Sequence, residues 1–272
     1  MNRLKRSFAV CKAVAFVTYK EWSAYRTHSL VSAFVGPVYF IVQYFIWTAV
    51  YGDVGSLAGM ELSQTICYFG ASALIGYLTM DFADWNLQML IRTGKFLTFA
   101  LRPIHHRFFA LSQKLGHRVL GFFFEFLPCL LIFTLLFRVD ILPKNLMWTM
   151  LSVGLSFLMI FYVNYCLGMT AFFFVRAKGI TAVYQLMGSV FSGALIPLNF
   201  FPEIIQKIMI FLPFAYTNYI PAMVWTGAER IGTMELTVPQ TVCAQALVLG
   251  ITILFSEAMY RLAIRKFTAV GA

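Results

Sequence analysis

Between Leu146 and Val175 the chain runs for about 30 residues without a single Asp, Glu, Lys or Arg. A run that long and that apolar exceeds the roughly 20 residues a helix needs to cross a bilayer. Shorter runs of the same kind recur along the whole sequence. Of the 272 residues, 60% are hydrophobic and 12% are charged, whereas an ordinary soluble domain is about 25% charged. A chain of this size has no interior large enough to hide so much apolar surface, so its solvent is the bilayer. Disordered, coiled-coil and nearly all soluble enzyme classes are excluded, and the expected fold class is an all-α membrane protein with six transmembrane helices.

The spans are read at about 29–51, 62–80, 119–137, 146–175, 180–197 and 239–260. Gly36-Pro37 permits a kink in the first, and Pro239 suits the start of the last. Residues 1–28 are too charged to cross. There Leu4, Phe8, Cys11, Ala15, Thr18 and Trp22 recur at helical spacing, with Lys5, Lys12 and Lys20 opposite. That pattern predicts an amphipathic helix lying in the interface. Between the fifth and sixth spans, residues 198–238 carry Pro202, Pro213 and Pro221. Their apolar pieces, 204–212 and 219–226, are too short to cross and predict a re-entrant helical hairpin packed against protein or a water-filled cavity. The chain thus divides into an N-terminal helix, 1–28, and a transmembrane domain, 29–272, with a long basic loop at 81–118.

Charge sets the orientation. With the N-terminus inside, only Arg138, Lys144, Lys207 and Arg230 fall outside, which leaves 17 of the 21 Lys and Arg on the inner side. This positive-inside bias makes both termini and the basic loop cytoplasmic and the hairpin extracellular or periplasmic. The net charge of +10 is then a membrane signature, with no nucleic acid implied.

Reactive constellations are scarce. There is no H-E-x-x-H, G-x-S-x-G or phosphate-binding G-x-x-x-x-G-K-[ST]; Gly94-Lys95 is followed by Phe96. Cys11, Cys67, Cys129, Cys166 and Cys243 are dispersed and suggest neither disulfides nor a metal site. Glu125, inside the third span, is the one acid that raises an enzymatic or transport role, against a bland polar neighbour. Glu257 stands four residues before Arg261 and reads as an interfacial ion pair. Gln43, Asn164 and Gln185 are amides suited to bonds between helices. In the basic loop, the segment from Trp85 to Ile91 predicts a helix stopped at Gly94. A second short helix follows at 96–101, stopped near Pro103. Such an elbow suits a groove on a cytoplasmic protein or a solvated face near anionic lipid.

The stretch from Leu90 through Arg92, Gly94, Lys95 and Phe96, followed by Leu101-Arg102-Pro103, resembles the cytoplasmic motif of type-two ATP-binding-cassette (ABC-2 type) exporter permeases. The proline-spaced run from Ser192 through Pro197, Phe201-Pro202, Leu212-Pro213-Phe214, Tyr216, Pro221 and Gly227 is similar to the outer re-entrant segment of the same family. The resemblance covers nearly the whole chain and looks closest to a six-span bacterial subgroup. It implies a permease subunit in the cytoplasmic membrane, paired with a second permease chain and driven by separate ATP-binding subunits that hold ATP and Mg; this chain itself holds no cofactor. It further implies that Trp85, Leu87, Leu90, Ile91, Arg92, Gly94, Lys95, Arg102 and Pro103 couple to the ATPase. Pro197, Phe200, Phe201, Pro202, Pro213, Phe214, Tyr216 and Pro221 would form an outer lid. Tyr68, Tyr77, Gln185 and Met187 would line the pathway. The implied substrate is hydrophobic or amphipathic: a lipid-linked glycan, a peptide or a cationic drug. A membrane anchor for a cytoplasmic partner, or an enzyme using Glu125, is the alternative.

Overall fold

The structure, a computed structural model, describes residues 3–24, 31–101, 104–174, 178–228 and 236–266. The elements in order are α1 (Arg3–Ser23), α2 (Val35–Tyr51), β1 (Ser56–Leu57), β2 (Met60–Glu61), α3 (Leu62–Thr79), α4 (Ala83–Arg92), α5 (Leu97–Ala100) and α6 (His106–Leu136). They continue as α7 (Leu146–Met169), α8 (Lys178–Phe191), α9 (Glu203–Phe211), α10 (Tyr219–Thr226) and α11 (Val238–Arg265). Among the described residues, four stretches are long and apolar enough to cross a membrane: Leu62–Arg92, His106–Leu136, Leu146–Phe172 and Val238–Arg265. α2 and α8 are shorter apolar helices of 17 and 14 residues. At about 1.5 Å per residue each falls short of a hydrocarbon layer of about 30 Å.

Local chemistry explains several boundaries. Gly36 and Pro37 lie in the first turn of α2, where a missing amide hydrogen costs nothing. Ala58 and Gly59, both at positive φ, close the small β1–β2 hairpin in antiparallel register. The third apolar run begins at Val119, yet its helix starts at His106. The extra turns are amphipathic, and Lys114 and Arg118 are buried in them. α6 also contains two π turns, Phe122–Phe126 and Ile132–Leu136. α8 stops at Phe191, short of the expected 197, because the chain turns at Gly193, whose φ is +77°.

α3 sits at the centre and packs on α2, α7 and α10. The main core gathers Phe40, Tyr68, Phe69, Leu74, Phe133 and Tyr219 around it. A second core, with Leu87, Ile91, Phe96, Phe161, Tyr165 and Met169, ties α4 and the α4–α5 turn to α7. α11 runs along α7. Gln245 on α11 is fully buried; its amide nitrogen donates to the Ser152 carbonyl at 3.1 Å and the Tyr216 carbonyl at 2.9 Å, and its oxygen accepts from Ser152 Oγ at 2.7 Å. Gln245→Leu leaves these groups dry and unpaired and is expected to cost about 1–3 kcal/mol, read as a lower unfolding temperature of the purified chain.

α1 departs from expectation. Its Ala15–Thr18–Trp22 face packs along α6: Thr18 is buried and Trp22 lies 4.2 Å from the His117 ring. That face was expected to meet lipid. It meets protein because Gly116 lets the two helices approach closely. Phe8, Phe16, Val17 and Tyr19 are among the residues α1 leaves exposed. The side chains of Leu4 and Lys5 lie outside the described residues.

Candidate functional site

The α4–α5 elbow is mounted on α7. Leu87 packs against Gly168 so closely that a Cβ there would sit 2.9 Å from it. Ile91 and Phe96 are buried beside it. Gly94, at φ +70°, ends α4 in the left-handed conformation that glycine adopts without steric cost. Its amide donates to the Ile91 carbonyl at 3.1 Å, and that of Phe96 to the Leu90 carbonyl at 3.0 Å. The elbow therefore has two sides. Leu87 and Ile91, expected as outward contacts, face inward, and Leu90 is half-buried. Trp85, Arg92, Lys95, Leu97 and Leu101 are exposed, Leu101 at 79%. Arg102 and Pro103 lie outside the described residues.

Beside the elbow opens a cleft of about 860 Å³. Asp81, Phe82 and the Asp84–Trp85–Gln88–Arg92 side of α4 form one wall, Trp22 of α1 the rim, and Thr181 and Gln185 of α8 the other wall. Gln88 Nε2 donates to Thr181 Oγ1 at 3.1 Å and joins the walls. Trp22 stacks on Phe82 with centroids 6.1 Å apart. Gln185 also lines a second groove of about 480 Å³ that climbs between α3, α7 and α8. Ser72, Gly76 and Thr79 of α3, Asn164 of α7 and Tyr184 and Ser189 of α8 line it, and it ends under Phe214 and Asn218. Tyr184 and Phe214 pack at 5.2 Å.

Of the four residues expected along a pathway, Gln185 lines both cavities. Met187 is exposed and lines neither. Tyr68 and Tyr77 are buried struts. Tyr68 OH donates to the Gly193 carbonyl at 2.7 Å, and Tyr77 OH accepts from the Gly36 amide at 2.6 Å. The α3 lining was missed, although small or hydroxyl residues at 72, 73, 76 and 79 share one helical face, a pattern legible in the sequence. No sequence signal marks Tyr184.

Glu125 is buried in the first π turn of α6. Its carboxylate lies 3.4 Å from Arg118 Nη1 and accepts a hydrogen bond from Ser32 Oγ; Arg118 also donates to the Tyr77 carbonyl. These contacts tie the start of α2 to α3 and α6. Glu257 pairs with Arg261 at 2.9 Å and with Arg107 at 2.8 Å. Among the described residues no three His, Cys, Asp or Glu side chains cluster as a metal site.

At the opposite end, α9 and α10 are unlike each other. α9 turns Gln206, Met209 and Ile210 inward and exposes Ile204, Ile208 and Phe211. α10 is buried from Tyr219 to Trp225, with Trp225 Nε1 donating to the Ile141 carbonyl at 2.7 Å. Of the expected lid residues, Pro197, Tyr216 and Pro221 are buried; Phe200, Phe201, Pro213 and Phe214 are half-buried; Pro202 is exposed. Phe200 rests on Trp47 at 4.5 Å.

A family model described as ABC-2 family transporter protein matches residues 38–271, nearly the whole of this helical framework. No curated protein matches the chain. The match spans the central helix, the elbow, the groove between α3, α7 and α8 and the pair of short helices α9 and α10, and by it the chain belongs to the ABC-2 family of membrane transporter proteins.

Proposed function

We propose that the chain is the permease subunit of an ATP-driven exporter in a bacterial cytoplasmic membrane. It crosses six times, the segments 29–51 and 180–197 that hold the short helices α2 and α8 completing the four long spans, with α9 and α10 forming the re-entrant hairpin, and α1 and the elbow in the cytoplasm. Residues 1–28 then form the cytoplasmic helix and 29–272 the transmembrane domain. A second permease chain, identical or related, completes the pathway. ATP and Mg belong to a separate ATP-binding subunit.

The observation that carries this reading is the mounting of the elbow. Its inner side is fixed on α7 through Leu87, Ile91 and Phe96, while Arg92, Lys95, Leu97 and Leu101 stand out from the bundle. A rigid protrusion with an apolar tip and basic flanks transmits force from whatever grips it. In this reading the grip falls on the Gly94 tip and its flanks, with Arg102 and Pro103 continuing the surface, and Arg92 and Lys95 meeting acids of the ATPase. The substrate is amphipathic, because the inner groove mixes Tyr184 and Phe214 with amides and hydroxyls.

Co-expression with candidate ATP-binding subunits, followed by reconstitution into vesicles, tests the proposal. A subunit that co-purifies and drives ATP-dependent flux is expected; binding without flux would leave only a membrane anchor. Arg92→Glu should weaken association with that subunit by roughly tenfold, about 1.4 kcal/mol, and lower transport-coupled ATP hydrolysis to match. Unchanged coupling would remove Arg92 from the junction.

A further inference from the structure

We propose that the 860 Å³ cleft beside the elbow is an entry site for organic cations; the proposal rests on the export reading and narrows its substrate class. The cleft lies within the roughly 300–1,000 Å³ of small-molecule sites. Two indoles, Trp22 and Trp85, line it; Trp22 is packed on Phe82 and His117, while Trp85 is 62% exposed. Two carboxylates, Asp81 and Asp84, line the same wall.

Neither acid makes an ion pair within 4 Å among the described residues. Asp81 Oδ1 accepts the Phe82 and Ala83 amides at 2.9 and 3.3 Å, which fixes the carboxylate, while Oδ2 is buried with no hydrogen-bond partner among the described residues. Buried polar atoms are nearly always paired, so this oxygen, closed off from the open cleft, leaves the Asp81 carboxylate short of a donor, and half-buried Asp84 is the acid within reach of the cleft. Lys114 lines the neighbouring small cavity behind Asp81; its ammonium donates to the Phe157 carbonyl at 2.7 Å and lies over the Phe157 ring, and its charge, with that of Arg118, offsets part of the Asp81 charge from behind, which leaves Asp84 as the cleft's unopposed acid. Among the described residues, Arg92, at the far end of the same α4 face, is the one cation in the cleft lining.

Indole faces and carboxylates together favour a cation with an apolar envelope: the ring quadrupole and the acids attract the charge, and the indoles bury the hydrocarbon. An anion of the same shape meets the opposite field. Gln185, shared with the groove between α3 and α8, gives the bound cation a way onward.

The test uses the full chain in phosphatidylcholine nanodiscs, with tetraphenylphosphonium as cation and tetraphenylborate as an anion of matching shape. Saturable binding of the cation above empty nanodiscs, with no saturable binding of the anion, is expected. Asp84→Asn and Trp85→Ala should each weaken it tenfold or more, Trp85→Phe should stay within threefold, and Glu203→Gln at the opposite end should change nothing. Asp84 and Trp85 are only partly buried, so these variants fold even where Asp81→Asn does not. Equal binding of both ions, or binding indifferent to both Asp84→Asn and Trp85→Ala, overturns the proposal. The two readings fail separately. Cation binding without flux under any ATP-binding subunit keeps the site and ends the export reading. ATP-driven flux of another substrate, with no phosphonium binding or competition, keeps export and ends the cation site.

Discussion

Glu125→Leu is expected to destabilise the folded chain by about 3–5 kcal/mol, because it removes the carboxylate paired with the Arg118 guanidinium in a dry interior and leaves only Asp81, outside ion-pair distance, to offset that charge. Arg118 and Glu125 are each only 6% exposed at the side chain. Arg118 keeps the Tyr77 carbonyl and His117 as partners, but neither carries the opposing charge. The double change Arg118→Met with Glu125→Leu should restore most of the loss, since a well-packed apolar pair of similar volume often equals a buried ion pair. Thermal unfolding of the purified chain in nanodiscs reads both. Rescue by the double variant marks the pair as a brace between α2, α3 and α6. Transport or any other activity lost in the double variant despite restored stability would instead give Glu125 a chemical role.

Gly116→Val carries the next largest effect. A Cβ at Gly116 would stand 2.2 Å from the Ala15 carbonyl oxygen and 2.8 Å from the Ala15 Cα. Both are backbone atoms, so no side chain can rotate away, and α1 must lift from α6. Overpacking of this kind costs about 1–3 kcal/mol. The expected readout is trypsin cleavage at the exposed Lys12 and Lys20, many-fold faster than in the parent. Gly154→Ala on α7 is the control: no atom lies within 4 Å of its Cβ position, and alanine favours the helix. Protection of α1 equal to the parent in Gly116→Val would show that the two helices do not pack at this point.

The reason α1 was misjudged is instructive. Hydrophobic periodicity reports that a face is buried, not what buries it. The face from Ala15 to Trp22 is buried, but on α6, and only the Ala15–Gly116 approach, invisible in either segment alone, decides between protein and lipid. The elbow shows the same limit. Its turn was legible because Gly94 carries a backbone conformation that few other residues adopt. Its contact face was not: Leu87 and Ile91 were expected to reach a partner, and Gly168 of α7 received Leu87 instead. The long spans were plain from unbroken apolar runs, except where Lys114 and Arg118 are buried in an amphipathic extension of α6. Both cavities depend on α4 and α3 meeting α8, a contact about 100 residues apart in sequence that no local pattern announces. The match to ABC-2 family transporters confirms the resemblance read from the elbow and the proline-spaced run.

The burial of α10 sets how the two short helices are held at their end of the bundle. That short helix is wedged among α3, α7 and α11, its Trp225 indole latched to the Ile141 carbonyl and the Tyr216 carbonyl just before it latched to Gln245. α9 touches the rest mainly through Gln206, Met209 and Ile210. The two short helices are therefore held unequally: α10 is the fixed post of the pair, and α9 hangs from it across Leu212–Pro213 by a lighter grip.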